Sequence, residues 1–148
     1  MSWKGTLQKA GIDYDESNDF YTFLTAGVKT VSGTPTYVVT GMIADISTAE
    51  TIYIPCPHAG QISEANATIS AAITVADAGI TVSTSTGALT ETIDVLTAGS
   101  AAGTTVTITP SLTQTNNTIP NNSYISIATD GASTTAAQCI VAVTIIPE

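Results

Sequence analysis

The sequence predicts an all-β protein: an eight-stranded antiparallel β-sandwich of the jelly-roll type, preceded by an extended N-terminal arm. Two observations lead to this fold class. From Tyr37 onward, short apolar and Thr-rich segments alternate with Gly, Pro, Asn and Asp at intervals near the roughly 8–12 residues expected of a sandwich. Charged residues make up only 10% of the 148 residues, and abundant Thr, Ser and Asn are typical of a hydroxyl-covered β surface.

The first 36 residues differ in composition from the rest. They hold all three Lys, both Phe and the only Trp, and no sustained alternation runs through them. We interpret residues 1–36 as an extended arm and residues 37–148 as a β-sandwich domain. Disordered tails are poor in aromatic residues, whereas interfaces are rich in them, so we favour an ordered arm docked on a partner over a disordered tail. The predicted docking residues are Trp3, Tyr14, Phe20, Tyr21 and Phe23.

The sandwich domain contains eight segments with strand character. The Asp130-Gly131 pair before the last of them predicts a hairpin. That last segment is apolar on both faces, which indicates either a central strand or a strand with one face against another subunit. We assign Val141, Val143 and Ile145 to such a subunit interface. The predicted strands are Tyr37–Ile46, Thr51–Ile54, Gln61–Ala71, Ile80–Thr84, Thr92–Leu96, Thr104–Thr109, Tyr124–Thr129 and Gln138–Ile146.

The net charge of −9 argues against two classes of partner. Lys4, Lys9 and Lys29 are the only basic residues, so residues 30–148 carry acidic groups alone. Nucleic-acid backbones are bound by clustered Lys and Arg, and anionic membrane surfaces attract the same residues. We therefore expect no nucleic-acid partner and no membrane partner.

No apolar run reaches the length of a membrane span or of a signal peptide. We expect synthesis in the cytoplasm. In that compartment Cys56 and Cys139 are expected to be buried, reduced thiols rather than a disulfide.

The sequence offers little from which to build a catalytic or metal site. His58 is the sole histidine and lies near Cys56 in the connection 55–60, but closeness in sequence does not establish a nucleophilic pair. Two Cys and one His cannot fill a tetrahedral metal site. Four carboxylates near predicted turns could offer oxygens to calcium, although no EF-hand pattern is present, and we interpret them as solvated turn residues. We expect no enzyme activity and no cofactor. The four are Asp45, Asp77, Asp94 and Asp130.

Three segments resemble a known family. They are IADISTAETIYIPCPHAGQI (43–62), ADAGITV (76–82) and NNTIPNNSYISIATDGAST (116–134), and their order resembles a pattern in small virion proteins of tailed phages, notably capsid decoration (cement) proteins. The resemblance covers about residues 38–146. It implies a structural virion protein, made in the host cytoplasm, whose jelly-roll domain forms a homotrimer on the capsid exterior. It also implies that a terminal arm grips the major capsid protein and that neighbouring capsid proteins are bridged.

Two alternatives remain open. The first is a phage fibre, spike or adhesin-like module in which the sandwich binds a host-surface glycan, and exposed aromatic residues or cations clustered at one end would favour it. The second is a sandwich-fold glycan hydrolase. Such an enzyme needs two carboxylates about 5–9.5 Å apart, and nothing in the sequence pairs them.

Overall fold

The computed structural model describes residues 12–15, 20–23 and 35–148. The chain divides into two compact units, Met1–Gly33 and Thr34–Glu148. In the first unit, β1 (Ile12–Asp15) and β2 (Phe20–Phe23) pair in an antiparallel two-stranded ribbon. This pairing lies inside the segment for which the sequence predicts an extended arm. Each strand has only four residues, too few to produce the sustained alternation by which strands are recognised.

The second unit is an all-β sandwich, which confirms the predicted fold class. None of the described residues form a helix long and apolar enough to cross a membrane. The eight strands of this unit are all paired antiparallel. They are β3 (Tyr37–Ile43), β4 (Thr51–Cys56), β5 (Gly60–Ile69), β6 (Ala78–Thr84), β7 (Gly87–Val95), β8 (Thr105–Ile108), β9 (Ser123–Thr129) and β10 (Cys139–Pro147).

The eight strands form two four-stranded sheets. The first sheet has the order β3-β10-β5-β8 and the second has the order β4-β9-β6-β7. Consecutive strands therefore change sheets at every connection except the one between β6 and β7. Two interleaved four-stranded sheets with this order are the arrangement of a jelly roll.

Side chains alternate between the core and the surface along the strands, as a pleated sheet requires, with an interruption in β5 where its register with β10 shifts. The burial pattern of β6, for example, alternates without interruption over its seven residues. The core between the sheets is aliphatic: its fully buried large side chains are Ile and Val, with Ala and the two Cys in the remaining space. No aromatic side chain of residues 35–148 is among the buried residues. The largest core side chains are Ile43, Ile46, Ile62, Ile69, Ile73, Ile80, Ile93, Ile119, Ile125, Ile127 and Ile145.

Strand β10 is central, as its two-sided apolar sequence predicts, because it lies between β3 and β5. The assignment of Val141, Val143 and Ile145 to a subunit interface is wrong. All three side chains are completely buried in the core of their own chain, so they leave no surface for a second chain. The opposite face of β10 is the one that faces outward, and it includes the exposed Ile140.

Two local predictions also need correction. Strand β7 begins at Gly87 rather than at Thr92, and its register with β6 shifts between Thr81 and Ser83. Two inward positions in this part of β7 are occupied by Gly87 and the charged Glu91, so the apolar alternation by which a strand is recognised in the sequence is weak there. The Asp130-Gly131 pair does not form a hairpin, because β9 and β10 belong to different sheets. Gly131 still adopts a positive φ of 67°. Glycine supplies this backbone conformation in hairpin turns and in other connections alike.

A buried amide fastens the long connection between β8 and β9 to β5. The Asn117 side chain accepts a hydrogen bond from the Ile62 amide at 2.8 Å and donates to the Ile62 carbonyl at 2.9 Å. It also donates to the Ser111 carbonyl at 3.2 Å. One residue thus pairs both backbone groups of a core position that would otherwise lack partners.

We predict that Asn117→Ala lowers the free energy of unfolding by about 2–4 kcal/mol, because two buried backbone groups of Ile62 lose their partner. Urea denaturation followed by circular dichroism measures the change. Asn121→Ala is the matched control, since Asn121 is exposed, and should change stability by less than about 0.5 kcal/mol. Equal effects of the two substitutions would contradict this role for Asn117.

The two cysteines are buried and unpaired, as the sequence predicts. Burial raises the pKa of Cys139 to about 11 and raises the pKa of Cys56 as well. Since the neutral thiol is a poor nucleophile, we predict that neither thiol reacts with Ellman's reagent in the native protein at pH 8. Both should react once the protein is unfolded in urea. Rapid labelling of one thiol in the native state would show that a cysteine is accessible.

Candidate interaction surfaces

The residues most suited to nucleophilic chemistry are not brought together as a reactive pair. The Cys56 side chain is buried, and its sulfur lies 3.8 Å from the Ile54 carbonyl. His58 is exposed, and its carbonyl accepts a hydrogen bond from the Tyr37 hydroxyl at 3.0 Å. The bond from Tyr37 fastens the connection between β4 and β5 to the beginning of β3. Cys56 and His58 therefore have structural environments, a buried thiol and a loop imidazole, as the sequence indicates.

Three of the four predicted turn carboxylates lie in connections and accept hydrogen bonds from nearby donors, whereas Asp94 lies on β7. Asp45 accepts bonds from the amide and the hydroxyl of Ser47, and these hydrogen bonds lower the pKa of Asp45. Asp77 accepts from the Thr97 amide at 2.6 Å. Asp130 accepts from the amides of Gly79 and Ala132. Among the described residues, no group of three His, Cys, Asp or Glu side chains is placed to hold a metal ion.

The outer face of the first sheet carries an apolar patch, formed by Val38, Met42 and Ile140. Their side chains are 57%, 58% and 54% exposed. Met42 lies directly opposite Ile140 in the pairing of β3 with β10, and Val38 lies opposite Thr144. Strands β3 and β10 contain no charged residue. This patch is a surface that a partner can cover without burying a charge.

The outer face of the second sheet carries an aromatic pair, Tyr53 on β4 and Tyr124 on β9. The two rings are in edge-to-face contact, with centroids 5.3 Å apart and an interplanar angle of 77°. Tyr53 is 66% exposed and Tyr124 is 42% exposed. One residue before Tyr124, Ser123 helps to line a surface depression of about 420 Å³. The other lining residues are Pro55, Cys56, Pro57 and Asn122. The surrounding outward residues on β4, β9 and β6 are small and uncharged.

The electrostatic character of the sandwich is uniform in sign. Residues 35–148 contain eight Asp and Glu and no Lys or Arg. Hydrogen bonds from the Gln114 side chain lower the pKa of Glu91, so that carboxylate stays ionised at neutral pH. A highly charged body of one sign resists non-specific association. Contacts with partners are then expected where the surface is uncharged.

The predicted arm residues fall partly outside the described residues. Trp3 lies outside them. Tyr14, Phe20, Tyr21 and Phe23 lie on the paired strands β1 and β2, where Tyr14 is opposite Tyr21. Because successive positions of a strand alternate between faces, positions 14, 21 and 23 share one face of the ribbon and position 20 falls on the other. Four of the five predicted docking residues thus belong to one ribbon, although not to one face.

The apolar patch and the aromatic pair were not among the residues singled out in the sequence. Neither could be identified from the sequence, because alternation alone does not show which face of a strand points inward. In β3, Val38 and Val39 are adjacent, and either could belong to the core. The partial signal was the absence of charge from these strands, which is unusual for a surface that faces only water.

Comparison with known proteins supports the fold. No protein-family model and no curated protein matches this sequence. A chain in the solved structure of the cyanophage Pam1 capsid asymmetric unit is similar to this chain, with a TM-score of 0.50 and 16% sequence identity. The match covers 84% of this chain and 94% of that chain. At this level of identity, the likeness shows that the two chains share a fold.

Proposed function

We propose that this protein is a capsid decoration protein of a tailed phage, which lies on the capsid exterior and bridges neighbouring major capsid proteins. The observation that carries the proposal is the fold shared with a chain of the cyanophage capsid asymmetric unit over 84% of this chain. The order of the three resembling segments, 43–62, 76–82 and 116–134, supports the same role.

The two units of the chain suit two parts of this role. The ribbon of β1 and β2 presents aromatic positions 14, 20, 21 and 23, and aromatic side chains supply much of the binding energy of interfaces. The outer faces of β3 and β10, and of β4, β9 and β6, carry no charge, and these strands suit contacts with further protein. When several copies act together, each additional contact forms at a high effective concentration, so weak contacts add to a tight attachment. The homotrimer implied by the family resemblance stays a prediction.

The charge distribution agrees with a position outside the capsid shell. The sandwich carries eight acidic and no basic residues, and DNA phosphates repel such a surface. The carboxylates at the connections accept hydrogen bonds from neighbouring groups, Asp45 from Ser47 and Asp130 from Gly79 of β6. In the proposed role the protein acts mechanically. It adds contacts that must break before neighbouring capsid proteins separate.

We predict that replacing Tyr14 and Tyr21 together by Ala lowers the affinity for capsids by at least about tenfold, since each buried aromatic anchor contributes roughly 1–3 kcal/mol. Co-sedimentation of purified protein with phage heads assembled without it measures the affinity. The change of Thr22, on the same ribbon, to Ala is the control and should leave binding within about twofold.

A second variant, Trp3→Ala with Phe20→Ala, tests the remaining predicted anchors in the same assay. Unchanged occupancy in both double variants would remove the arm from the docking surface. Failure of the unmodified protein to bind heads would overturn the decoration role itself.

One observation favours a second candidate function, a fibre-associated or adhesin-like module that binds a host-surface glycan. The exposed pair of Tyr53 and Tyr124 has its rings 5.3 Å apart among the uncharged residues of β4, β9 and β6, and neutral sugar rings stack on aromatic side chains of this kind. The pair lies toward the end of the sheet where β4 ends and β9 begins, because Cys56 pairs with Ser123 there.

The glycan function predicts that Tyr53→Ala with Tyr124→Ala abolishes binding of the labelled protein to host cells. Periodate treatment of the cells, which oxidises sugar diols, should abolish binding of the unmodified protein as well. Flow cytometry measures both effects, and Thr92→Ala on the same outer face is the control. If the unmodified protein shows no binding to host cells, this candidate is eliminated and the decoration role is unaffected.

A further inference from the structure

Sheet edges are the places where a β-sandwich can pair with another chain, because an edge strand displays unpaired backbone N–H and C=O groups. Among the described strands the sandwich has four edges: β3 and β8 end the first sheet, and β4 and β7 end the second. Natural proteins protect such edges with proline, charge, bulges or shortness. The four edges can be compared on these criteria.

Three of the four edges carry a protecting feature. Strand β4 contains Pro55, which has no N–H to donate. Strand β7 contains Glu91 and Asp94 and the bulge opposite β6. Strand β8 has only four residues. Each of these features opposes the addition of a strand.

Strand β3 has none of these features. Its seven residues, YVVTGMI, include no charge and no proline, and its pairing with β10 runs without a register shift. Two of its outward side chains, Val38 and Met42, belong to the apolar patch. An edge that is long, regular, uncharged and apolar is the kind that pairs with another strand.

We infer that the β3 edge is the contact between two copies of this chain, paired antiparallel about a two-fold axis through Thr40. Full overlap of Tyr37–Ile43 with the same strand of a second copy puts Thr40 opposite Thr40, at the midpoint of the strand. In that register Val38 of each copy lies opposite Met42 of the other. Each pair brings two exposed apolar side chains together, and the first sheets of the two copies become one eight-stranded sheet.

Charge favours a second copy meeting at this edge rather than elsewhere on the sandwich. Two bodies that each carry eight acidic and no basic residues repel each other wherever carboxylates would be brought together. Neither β3 nor its neighbour β10 contains a carboxylate, so pairing here buries none on these strands. A two-fold contact is also self-complementary, as the Val38 and Met42 pairs are.

This contact does not depend on the decoration role, and it differs from the homotrimer implied by the family resemblance. The experiment uses the whole chain of 148 residues and measures its mass in solution by light scattering. We expect twice the 15.0 kDa mass of one chain. Thr40→Lys should raise the dimer dissociation constant at least about tenfold, because two Lys would lie directly opposite each other. Thr51→Lys, on the exposed edge strand β4, is the matched control and should leave the mass unchanged.

Cross-linking gives a second test that does not depend on introducing a charge. Directly opposed Cβ atoms in an antiparallel pair are about 4.5–5.5 Å apart, so Thr40→Cys should form a covalent dimer under mild oxidation. The two native thiols are buried and Thr51→Cys should not cross-link. A monomer, a trimer, or a dimer that persists in Thr40→Lys without cross-linking of Thr40→Cys would overturn the inference. None of these outcomes bears on whether the protein binds capsids.

Discussion

The position of β10 is the constraint on which the rest of the sandwich depends. This strand lies between β3 and β5 and pairs with both, and its inward side chains Cys139, Val141, Val143 and Ile145 have no exposed surface. Because side chains alternate strictly, a slip of one residue would exchange the inward and outward rows of the strand. Burial of this row therefore determines the register of the first sheet. It also determines which side chains of β3 and β10 must remain outside, and these include the apolar patch.

The sequence allows the strands of the sandwich to be located, but it does not show which face of each strand is buried. All eight strands of the sandwich were located, because turn residues separate them and most show alternation. The beginning of β7 is missed because Gly87 and the charged Glu91 occupy inward positions there, and Asp130-Gly131 is misassigned because a glycine with positive φ serves many kinds of turn. Val141, Val143 and Ile145 were assigned to an interface because β10 is apolar on both faces. Periodicity then shows that two faces exist, but packing against the second sheet decides which one is buried.

The aliphatic core explains why aromatic side chains are available for contacts. Ile, Val, Ala and Cys fill the space between the sheets, and each fully buried Ile or Val contributes roughly 1.5–3 kcal/mol of hydrophobic stabilisation. The sandwich thus needs no buried ring. Tyr53 and Tyr124 lie outside, among the uncharged residues of β4, β9 and β6. Tyrosine combines a large apolar surface with a polar end, which suits it to an interface that is exposed to water before a partner binds.

The carboxylates are distributed so that none lies on β3 or on its neighbour β10, and the carboxylate of the first sheet, Glu64, lies on β5. Asp45, Asp77 and Asp130 lie in connections, where backbone amides use them as acceptors. Glu91 and Asp94 lie on β7, an edge of the second sheet. Exposed charges separated by more than about 8 Å are largely screened at physiological ionic strength. Negative charge therefore opposes association through the connections and through β7. It does not oppose pairing at β3, because β3 carries no carboxylate. Specificity for one edge then arises from repulsion at the others as much as from attraction at β3.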